Sequence, residues 1–229
     1  MLNKDLEKNL GINFKDAKLL EQALTHRSYL NEHPDCQGGH NERLEFLGDA
    51  VLEIAITEYL YRHYPETPEG DLTNWRASLV NAKMLYQIAA ELGVEDSLRL
   101  SKGEAKDKNS KARQYILANA TEAIIGAIYL DQGLDAAKQF ILSHLIPKLE
   151  YILKNELYLD PKSKFQELAQ EKESVTPIYK TLSEEGPDHE KVFTVGLYLN
   201  DELVAEGKGL SKQEAQVKAA ELGLKNKGW

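Results

Sequence analysis

The sequence predicts a mainly α protein, in which an all-helical N-terminal domain precedes a small α+β domain with the element order α-β-β-β-α. From Phe14 to about Asn155, apolar residues recur at three- and four-residue steps, the period of amphipathic helices. After Thr176 the pattern changes, because "KVFTVGLYL" alternates apolar and polar residues as a half-buried strand does. A helical pattern then returns at Ser211. These three observations set the fold class.

In the N-terminal part the helical patterns are separated by polar breaks. Helices are predicted within "KDAKLLEQALTHRS", "NERLEFLGDAVLEIAI", "TNWRASLVNAKMLYQIAAEL", "ARQYILANATEAIIGAIYL" and "LDAAKQFILSHLIPKLEYIL". Breaks are predicted at "NEHPDCQGGH", "YPETPEGD" and "SKGEAKDKNSK", which are rich in proline, glycine or polar residues.

A domain boundary is predicted near "NELYLDPKSK", with a helical domain over residues 1–154, a linker over 155–160 and the α+β domain over 161–229. Asp160 is a good N-cap, and Pro161 suits the first position of a helix. Three strands are expected in "TPIYKTLSEEG", "KVFTVGLYL" and "ELVAEGKG". In the second strand the buried face is predicted to consist of Phe193, Val195, Leu197 and Leu199. The last helix is "SKQEAQVKAAELGLK".

Composition excludes several classes of protein. The 28 Lys and Arg against 37 Asp and Glu give a net charge of −9, so a nucleic-acid site would need local basic clusters or bound cations. The single cysteine, Cys36, rules out an internal disulfide and a cysteine zinc site. The N-terminus lacks the apolar core of a signal peptide, and no apolar run has the length of a membrane span. A cytoplasmic protein without membrane association is expected.

An acidic stripe runs along the predicted helix "NERLEFLGDAVLEIAI". Helical spacing places Glu42, Glu45 and Asp49 on one side, with Glu53 a turn further on. The opposite side is predicted to carry the apolar residues Leu44, Leu47, Val51, Ile54 and Ala55. A solvated amphipathic face is the ordinary interpretation of such a stripe, but like charges at this spacing repel each other.

A second polar stripe lies in "YILANATEAIIGAIYLDQG". Asn119 and Glu122 share a helix face, and Gly126 leaves that face open one turn later. A carboxylate among Ala and Ile is costly unless it is paired or metal-bound. If the two helices pack along these stripes, four oxygen donors surround one hard cation, Mg²⁺ or Mn²⁺. They are Glu45, Asp49, Asn119 and Glu122. A di-iron bundle is excluded because the sequence has no Glu-x-x-His pair.

The motif "NERLEFLGDAVL" resembles the signature of the ribonuclease III family. The stretches "LEQALTHRSY", "EGDLTNWRASLVNAKML" and "ILANATEAIIGAIYLDQG" resemble its flanking motifs in the same order. The tail is similar to a double-stranded-RNA-binding domain in "GPDHEKVFTV", "AEGKG" and "SKQEAQ". The resemblance implies a homodimeric, Mg²⁺-dependent endonuclease domain. It implies cleavage of double-stranded RNA to 5′-phosphate and 3′-hydroxyl ends, in the processing of ribosomal and messenger RNA precursors.

The resemblance also implies roles for individual residues. Glu45, Asp49 and Glu122 would bind the catalytic metal, with Asn119 in the fourth place, where the family usually has Asp. Glu42 and Glu69 match further acidic positions linked to cleavage. Phe46 matches an aromatic residue of the family's dimer interface, although plain core packing is an equal alternative for it.

Asn119 leaves two functions open. Its amide carbonyl can still bind Mg²⁺, and the lost charge predicts weaker metal binding with activity at higher Mg²⁺. Such a residue is compatible with a tolerated natural variant, an engineered inactivation or a lineage that binds RNA without cutting it. The alternative to the endonuclease is therefore a double-stranded-RNA-binding protein that has lost cleavage.

Candidate RNA contacts lie in two places. The segment 102–113 has a surplus of three positive charges just before the second acidic helix, so Lys106, Lys108 and Lys111 either grip phosphates or belong to a solvated loop. In the tail the resemblance implies contacts from three regions of the domain. They are Ser163, Gln166, Glu167 and Gln170; His189; and Lys212, Gln213 and Lys218. Residues 161–229 contain 10 Lys and 12 acids, so RNA binding by the isolated tail is expected to be weak and salt-sensitive.

Overall fold

A computed structural model describes residues 2–108, 110–187 and 191–229. The chain forms two compact units, Met1–Tyr158 and Leu159–Trp229. Within the described residues the first unit is helical, and the second has the predicted order α-β-β-β-α. The predicted fold class is confirmed.

The helices of the first unit follow one another with short connections. They are α1 (Leu2–Leu10), α2 (Ala17–Ala23), α3 (Arg27–Glu32), α4 (Glu42–His63), α5 (Glu69–Val80), α6 (Ala82–Leu92), α7 (Lys102–Lys106), α8 (Lys111–Gln132) and α9 (Leu134–Lys154). A 3₁₀ turn, Val94–Ser97, lies between α6 and α7.

The helices of the first unit differ from the prediction in three respects. Helix α1 lies before the predicted start of the helical region, and it buries Leu6 and Leu10 in the core. Helix α7 lies inside a predicted break, with Ser101 accepting a hydrogen bond from the amide of Glu104 at its start. The segment predicted as one helix from Thr73 to Leu92 is two, because Asn81 caps a new helix by accepting from the amide of Met84.

The first predicted helix is also interrupted. Thr25 forms an isolated parallel bridge with Arg99, which replaces helical hydrogen bonds between α2 and α3. The amide of Arg99 donates to Leu24 O at 2.8 Å, and the amide of His26 donates to Arg99 O at 3.0 Å. A long-range backbone pairing of this kind has no signature in local periodicity.

Helices α4 and α8 form the centre of the first unit. Helix α4 buries Leu44, Val51 and Ala55 as predicted, and α8 buries most of its length from Leu117 to Ile128. Ile54, on the predicted apolar side, is 51% exposed. A strip of α4 thus remains apolar on the side away from the core.

Two glycines allow α4 and α8 to touch backbone to backbone. An added Cβ at Gly48 would overlap the carbonyl oxygen of Glu122, and one at Gly126 would overlap the carbonyl oxygen of Leu44. Only a residue without a side chain fits at either position. The contact fixes which turns of the two helices face each other.

The second unit packs two helices on one face of an antiparallel sheet. Its elements are α10 (Pro161–Glu173), β1 (Ile178–Glu185), β2 (Val192–Leu199), β3 (Glu202–Gly209) and α11 (Lys212–Lys227), with the strands in the order β1-β2-β3. The predicted cap is confirmed, because Asp160 accepts from the amides of Lys162 and Ser163. Phe165 on α10 and Leu197 on β2 are fully buried between these layers. Of the predicted inner face of β2, Phe193 is only partly buried.

We expect Gly48→Ala to destabilise the first unit by about 1–3 kcal/mol or more, as overpacking of a tight contact does. Its methyl group would push α8 away from α4. The matched control is Gly70→Ala in α5, where an added Cβ meets nothing within 4 Å. Gly70→Ala should be neutral or stabilising by roughly 0.5–1 kcal/mol, since alanine favours a helix. Urea denaturation followed by circular dichroism measures both, and equal stability of the two variants would contradict the close packing.

Candidate functional site

The contact between α4 and α8 brings the two predicted polar stripes together. Glu45 and Asp49 lie one turn apart on either side of Gly48. Asn119 and Glu122 precede Gly126 on α8, and the carbonyl of Glu122 lies against Gly48 itself. The four residues predicted as metal ligands therefore meet at one crossing, which we call the acidic crossing.

Glu122 is the most perturbed member of the acidic crossing. The pKa of its carboxyl group is raised from 4.5 to about 7, chiefly by burial and in addition by the neighbouring carboxylates of Asp49 and Glu45. All three causes disfavour the charged form. The side chain is thus held where a carboxylate is unfavourable unless a cation is added.

Glu45 shares this environment in a milder form. Partial burial raises the pKa of its carboxyl group, and the charges of Glu42 and Asp49 act in the same direction. A hydrogen bond from the side chain of Asn119 opposes the shift, because it stabilises the ionised carboxylate. Asn119 therefore already interacts with a residue predicted to share a metal with it.

The outer acids of the α4 stripe have basic partners. Glu42 lies 3.5 Å from Arg27 and 3.8 Å from the ring of His40. Glu53 makes a 2.8 Å ion pair with Arg76 of α5. Arg76 was not foreseen as a partner, since it comes from another helix. Ion pairs therefore offset the negative charge at the two ends of the stripe. The acidic crossing differs, because the charged groups that shift the pKa of Glu122 are acids.

The donor set at the acidic crossing fits a hard divalent cation. Three carboxylates and one amide supply only oxygen ligands, which Mg²⁺ and Mn²⁺ prefer. The electrostatic neighbours that shift the pKa of Glu122 are both acids, so added positive charge would relieve the repulsion. As they stand, no three His, Cys, Asp or Glu side chains of the described residues are gathered closely enough to hold a metal ion. Binding would therefore require the carboxylates of Glu45, Asp49 and Glu122 to move closer together.

Glu69 and Phe46 lie apart from the acidic crossing. Glu69 is the first residue of α5, accepts a hydrogen bond from the Thr73 hydroxyl at 3.1 Å, and lines a pocket of about 240 Å³. Thr57 and Tyr61, at the far end of α4, line the same pocket, which we call the α4–α5 pocket. The side chain of Phe46 is 81% exposed, so core packing does not explain it.

The basic segment before α8 is partly ordered by a buried arginine. Lys106, Lys108 and Lys111 are exposed, as an RNA contact requires. Arg113 instead is only 4% exposed, lies 3.4 Å from Glu95 and donates to the carbonyl of Ala105. The predicted surplus of charge in this segment is therefore smaller at the surface than in the sequence.

In the tail, the polar residues predicted to bind RNA from α10 lie together. Ser163, Gln166, Glu167 and Gln170 are exposed on the side of α10 opposite Phe165. His189 lies outside the described residues. On α11, Gln213 is exposed, but the two lysines are engaged with carboxylates. Lys212 lies 2.7 Å from Glu184, and Lys218 lies 3.1 Å from Glu214. The pairing with Glu184 could not be predicted, because Glu184 belongs to strand β1.

Comparison with known families identifies both units. A family model described as Ribonuclease-III-like matches residues 16–149. A second model, described as Double-stranded RNA binding motif, matches residues 161–227. The described residues contain no helix that is both long and apolar enough to cross a membrane.

Similar proteins extend over nearly the whole chain. A Ribonuclease 3 from Carboxydothermus hydrogenoformans is 48% identical over 96% of this chain and 93% of its own length. A Ribonuclease 3 from Enterococcus faecalis is 43% identical over 98% of this chain and 97% of its own length. Among solved structures, the nuclease domain of a Campylobacter jejuni ribonuclease III is 42% identical, with a TM-score of 0.56, over 62% of this chain and 95% of that one.

The raised pKa of Glu122 predicts that stability without divalent ions falls as the pH rises. The folded state keeps a proton on Glu122 up to about pH 7, whereas the unfolded chain releases it near 4.5. Stability is therefore lost between these two values. Glu122→Gln should flatten this dependence and be more stable than the parent at pH 8. Thermal unfolding in EDTA at pH 5 and pH 8 measures the difference.

The matched control for this experiment is Glu150→Gln, which removes one charge at an exposed position of α9. It should keep the parent's dependence on pH. If Glu122→Gln loses stability with rising pH as steeply as the parent does, the carboxyl group of Glu122 is not desolvated as described.

Proposed function

The chain belongs to the ribonuclease III family of endoribonucleases, and we propose that it cuts double-stranded RNA with a divalent cation bound at the acidic crossing. The expected ends are a 5′-phosphate and a 3′-hydroxyl, and the expected role is maturation of ribosomal and messenger RNA precursors. The observation that carries the proposal is the crowding of Glu45, Asp49 and Glu122 around a contact closed by two glycines. Such crowding is unfavourable without a cation.

The residues at the crossing have separate roles in this proposal. Glu45, Asp49 and Glu122 hold the cation, preferentially Mg²⁺ with Mn²⁺ as a substitute, and Asn119 contributes its amide carbonyl. Glu122 gives up the proton that its raised pKa retains, so cation binding is tighter at higher pH. A divalent cation offsets the charge of the phosphodiester and activates the attacking water. No side-chain nucleophile is needed.

Recognition of the duplex is assigned to the tail and the basic segment. The second unit matches a double-stranded RNA binding motif over nearly its whole length. The exposed polar face of α10 suits 2′-hydroxyl groups of a minor groove, while Lys212 at the positive end of α11 suits phosphates. Lys106, Lys108 and Lys111 are proposed to contact phosphates near the acidic crossing.

Cutting both strands of a duplex calls for two acidic crossings, which a homodimer supplies. Phe46, Ile54 and Tyr61 are exposed on one side of α4 by 81%, 51% and 74%. Two copies of α4 that pack antiparallel about Ile54 would cover this strip, and each Phe46 would reach the other protomer's α4–α5 pocket. Since Phe46 follows Glu45 in the chain, the same contact would bring the partner's Glu69 towards the acidic crossing. The solved Campylobacter jejuni nuclease domain is described as having a region involved in dimer formation.

A second function, RNA binding without cleavage, rests on Asn119 alone. Replacing a carboxylate by an amide removes an attraction for a unit cation of roughly 4 kcal/mol at 4 Å and an effective dielectric constant near 20. Part of this loss is offset because the fourth carboxylate would also repel the other three. The cation site is therefore weakened, and we propose that it still works at higher Mg²⁺.

Asn119→Asp distinguishes the two functions. If the parent cleaves, the variant should need roughly tenfold less Mg²⁺ for half-maximal cleavage, which corresponds to about 1.4 kcal/mol of tighter binding. Cleavage of a labelled duplex RNA across Mg²⁺ and Mn²⁺ series provides the measurement. Asn155→Asp, an exposed change just after α9, adds the same charge away from the acidic crossing and serves as control. A parent that yields no product at any concentration of either metal is not an active endonuclease.

Phe46→Ala should convert the dimer to a monomer at micromolar concentration, because it removes the most exposed apolar side chain of the strip. Light scattering coupled to size exclusion measures the mass. Tyr151→Ala, at an aromatic residue of α9 that is 65% exposed, should leave the mass unchanged. A parent that is already monomeric, or a Phe46→Ala variant that remains dimeric, would argue against this interface.

A further inference from the structure

The start of α11 carries an ion pair that bears directly on RNA binding. Lys212 is the first residue of the helix, following the cap Ser211. Its ammonium group lies 2.7 Å from Oε1 of Glu184 and 5.5 Å from the centre of the Phe193 ring. Glu184 and Phe193 are opposite each other in the pairing of β1 with β2. Lys212 thus spans two neighbouring strands instead of extending into solvent.

The contact of Lys212 with Glu184 is an exchangeable one. The two side chains remain 55% and 40% exposed, so an RNA phosphate could approach the same ammonium group. Carboxylate and phosphate oxygens are both anionic acceptors for a lysine, and the geometry required is similar. The hydrogen bond from Lys212 lowers the pKa of the Glu184 carboxyl group, because it stabilises the ionised form.

Glu184 differs in this respect from Glu214, which pairs with Lys218 of the same helix. Glu214 accepts from the amide of Leu210 at 3.0 Å through one oxygen, and it belongs to the hydrogen-bonded first turn with Ser211. It therefore stabilises the start of the helix as well as holding Lys218. Glu184 has no such place in a helix cap, and replacing it is not expected to disturb the fold.

We propose that Glu184 competes with RNA phosphate for Lys212 and thereby limits the affinity of the protein for double-stranded RNA. The inference rests on the proposed function, in which the tail binds duplex RNA. When a phosphate takes Lys212, Glu184 loses this partner and stays as a negative charge beside the RNA backbone. Binding then has to break one ion pair and to bring a second anion close to the phosphates, so both affinity and counterion release are reduced.

The expected size of the effect follows from the exposure of the pair. Exposed ion pairs contribute little to stability, so removing the carboxylate should tighten RNA binding by roughly two- to fivefold and no more. The slope of log affinity against log salt should become steeper by up to about one unit, which corresponds to one more counterion released. Lys212 then contributes fully to neutralising the phosphates. A purely structural role for Glu184 would not change this slope.

The test uses the full chain with Glu184→Gln and the matched control Glu185→Gln. Both variants remove one negative charge at neighbouring positions, but successive residues of a strand point to opposite faces, and Glu185 accepts instead from the hydroxyl of Ser183 at 3.0 Å. Binding of a short duplex RNA is measured in EDTA, which prevents cleavage, across a series of KCl concentrations. We expect tighter binding and a steeper salt slope for Glu184→Gln alone.

A Lys212→Met background completes the experiment. In this background Glu184→Gln should no longer improve RNA binding, since there is no lysine at position 212 for which Glu184 could compete. The proposal would be overturned if Glu184→Gln and Glu185→Gln increased the RNA affinity equally, or if the increase persisted without Lys212. Either result would mean that only the net charge of the protein matters. No binding of duplex RNA by the parent at low salt would instead refute the proposed function itself. Circular dichroism of each variant establishes that the tail is folded.

Discussion

The backbone contact between α4 and α8 is the constraint on which the rest of the first unit depends. Gly48 and Gly126 let the two helices approach until the main chains touch, and this fixes their relative register. Side chains that flank the contact have little freedom to move apart. Glu45 and Asp49 must therefore face Glu122 across a partly dry surface, and the helices that bury the core also bring like charges together. The protein still folds because the free energy gained by burying the surrounding apolar residues is much larger than the free energy of this repulsion.

The sequence was sufficient for features that follow from local pattern. The two polar stripes, the Asp160–Pro161 helix start and the alternation in β2 each depend on neighbours a few residues away. Ile54 is exposed although its spacing groups it with buried residues, because a helix flanked by neighbours on several sides has no single apolar face. Periodicity cannot distinguish an apolar residue that packs in the core from one that is exposed at the surface of the unit.

Features that depend on distant parts of the chain were not accessible in this way. The bridge between Thr25 and Arg99 breaks a helix that local propensity favours. Arg113 was counted with the surface charge of its segment, although Glu95 and the carbonyl of Ala105 hold it inside the protein. Likewise, the pairing of Lys212 with Glu184 joins a helix to a strand almost thirty positions earlier. In an acidic chain many lysines find internal partners, so counting positive charge overstates what is available to a nucleic acid.

Asn119 can be understood from the balance at the acidic crossing without a cation. A fourth carboxylate there would add a third repulsive neighbour to Glu122 and would remove the hydrogen bond that Glu45 receives. An amide avoids both costs and still offers a carbonyl oxygen to a metal. In the proposed function, the amide therefore lowers the repulsion at the acidic crossing before a cation binds, and it offers the cation one negative charge fewer. The weaker cation binding that we propose would thus come partly from reduced repulsion in the folded chain, and it requires no loss of the geometry that α4 and α8 impose.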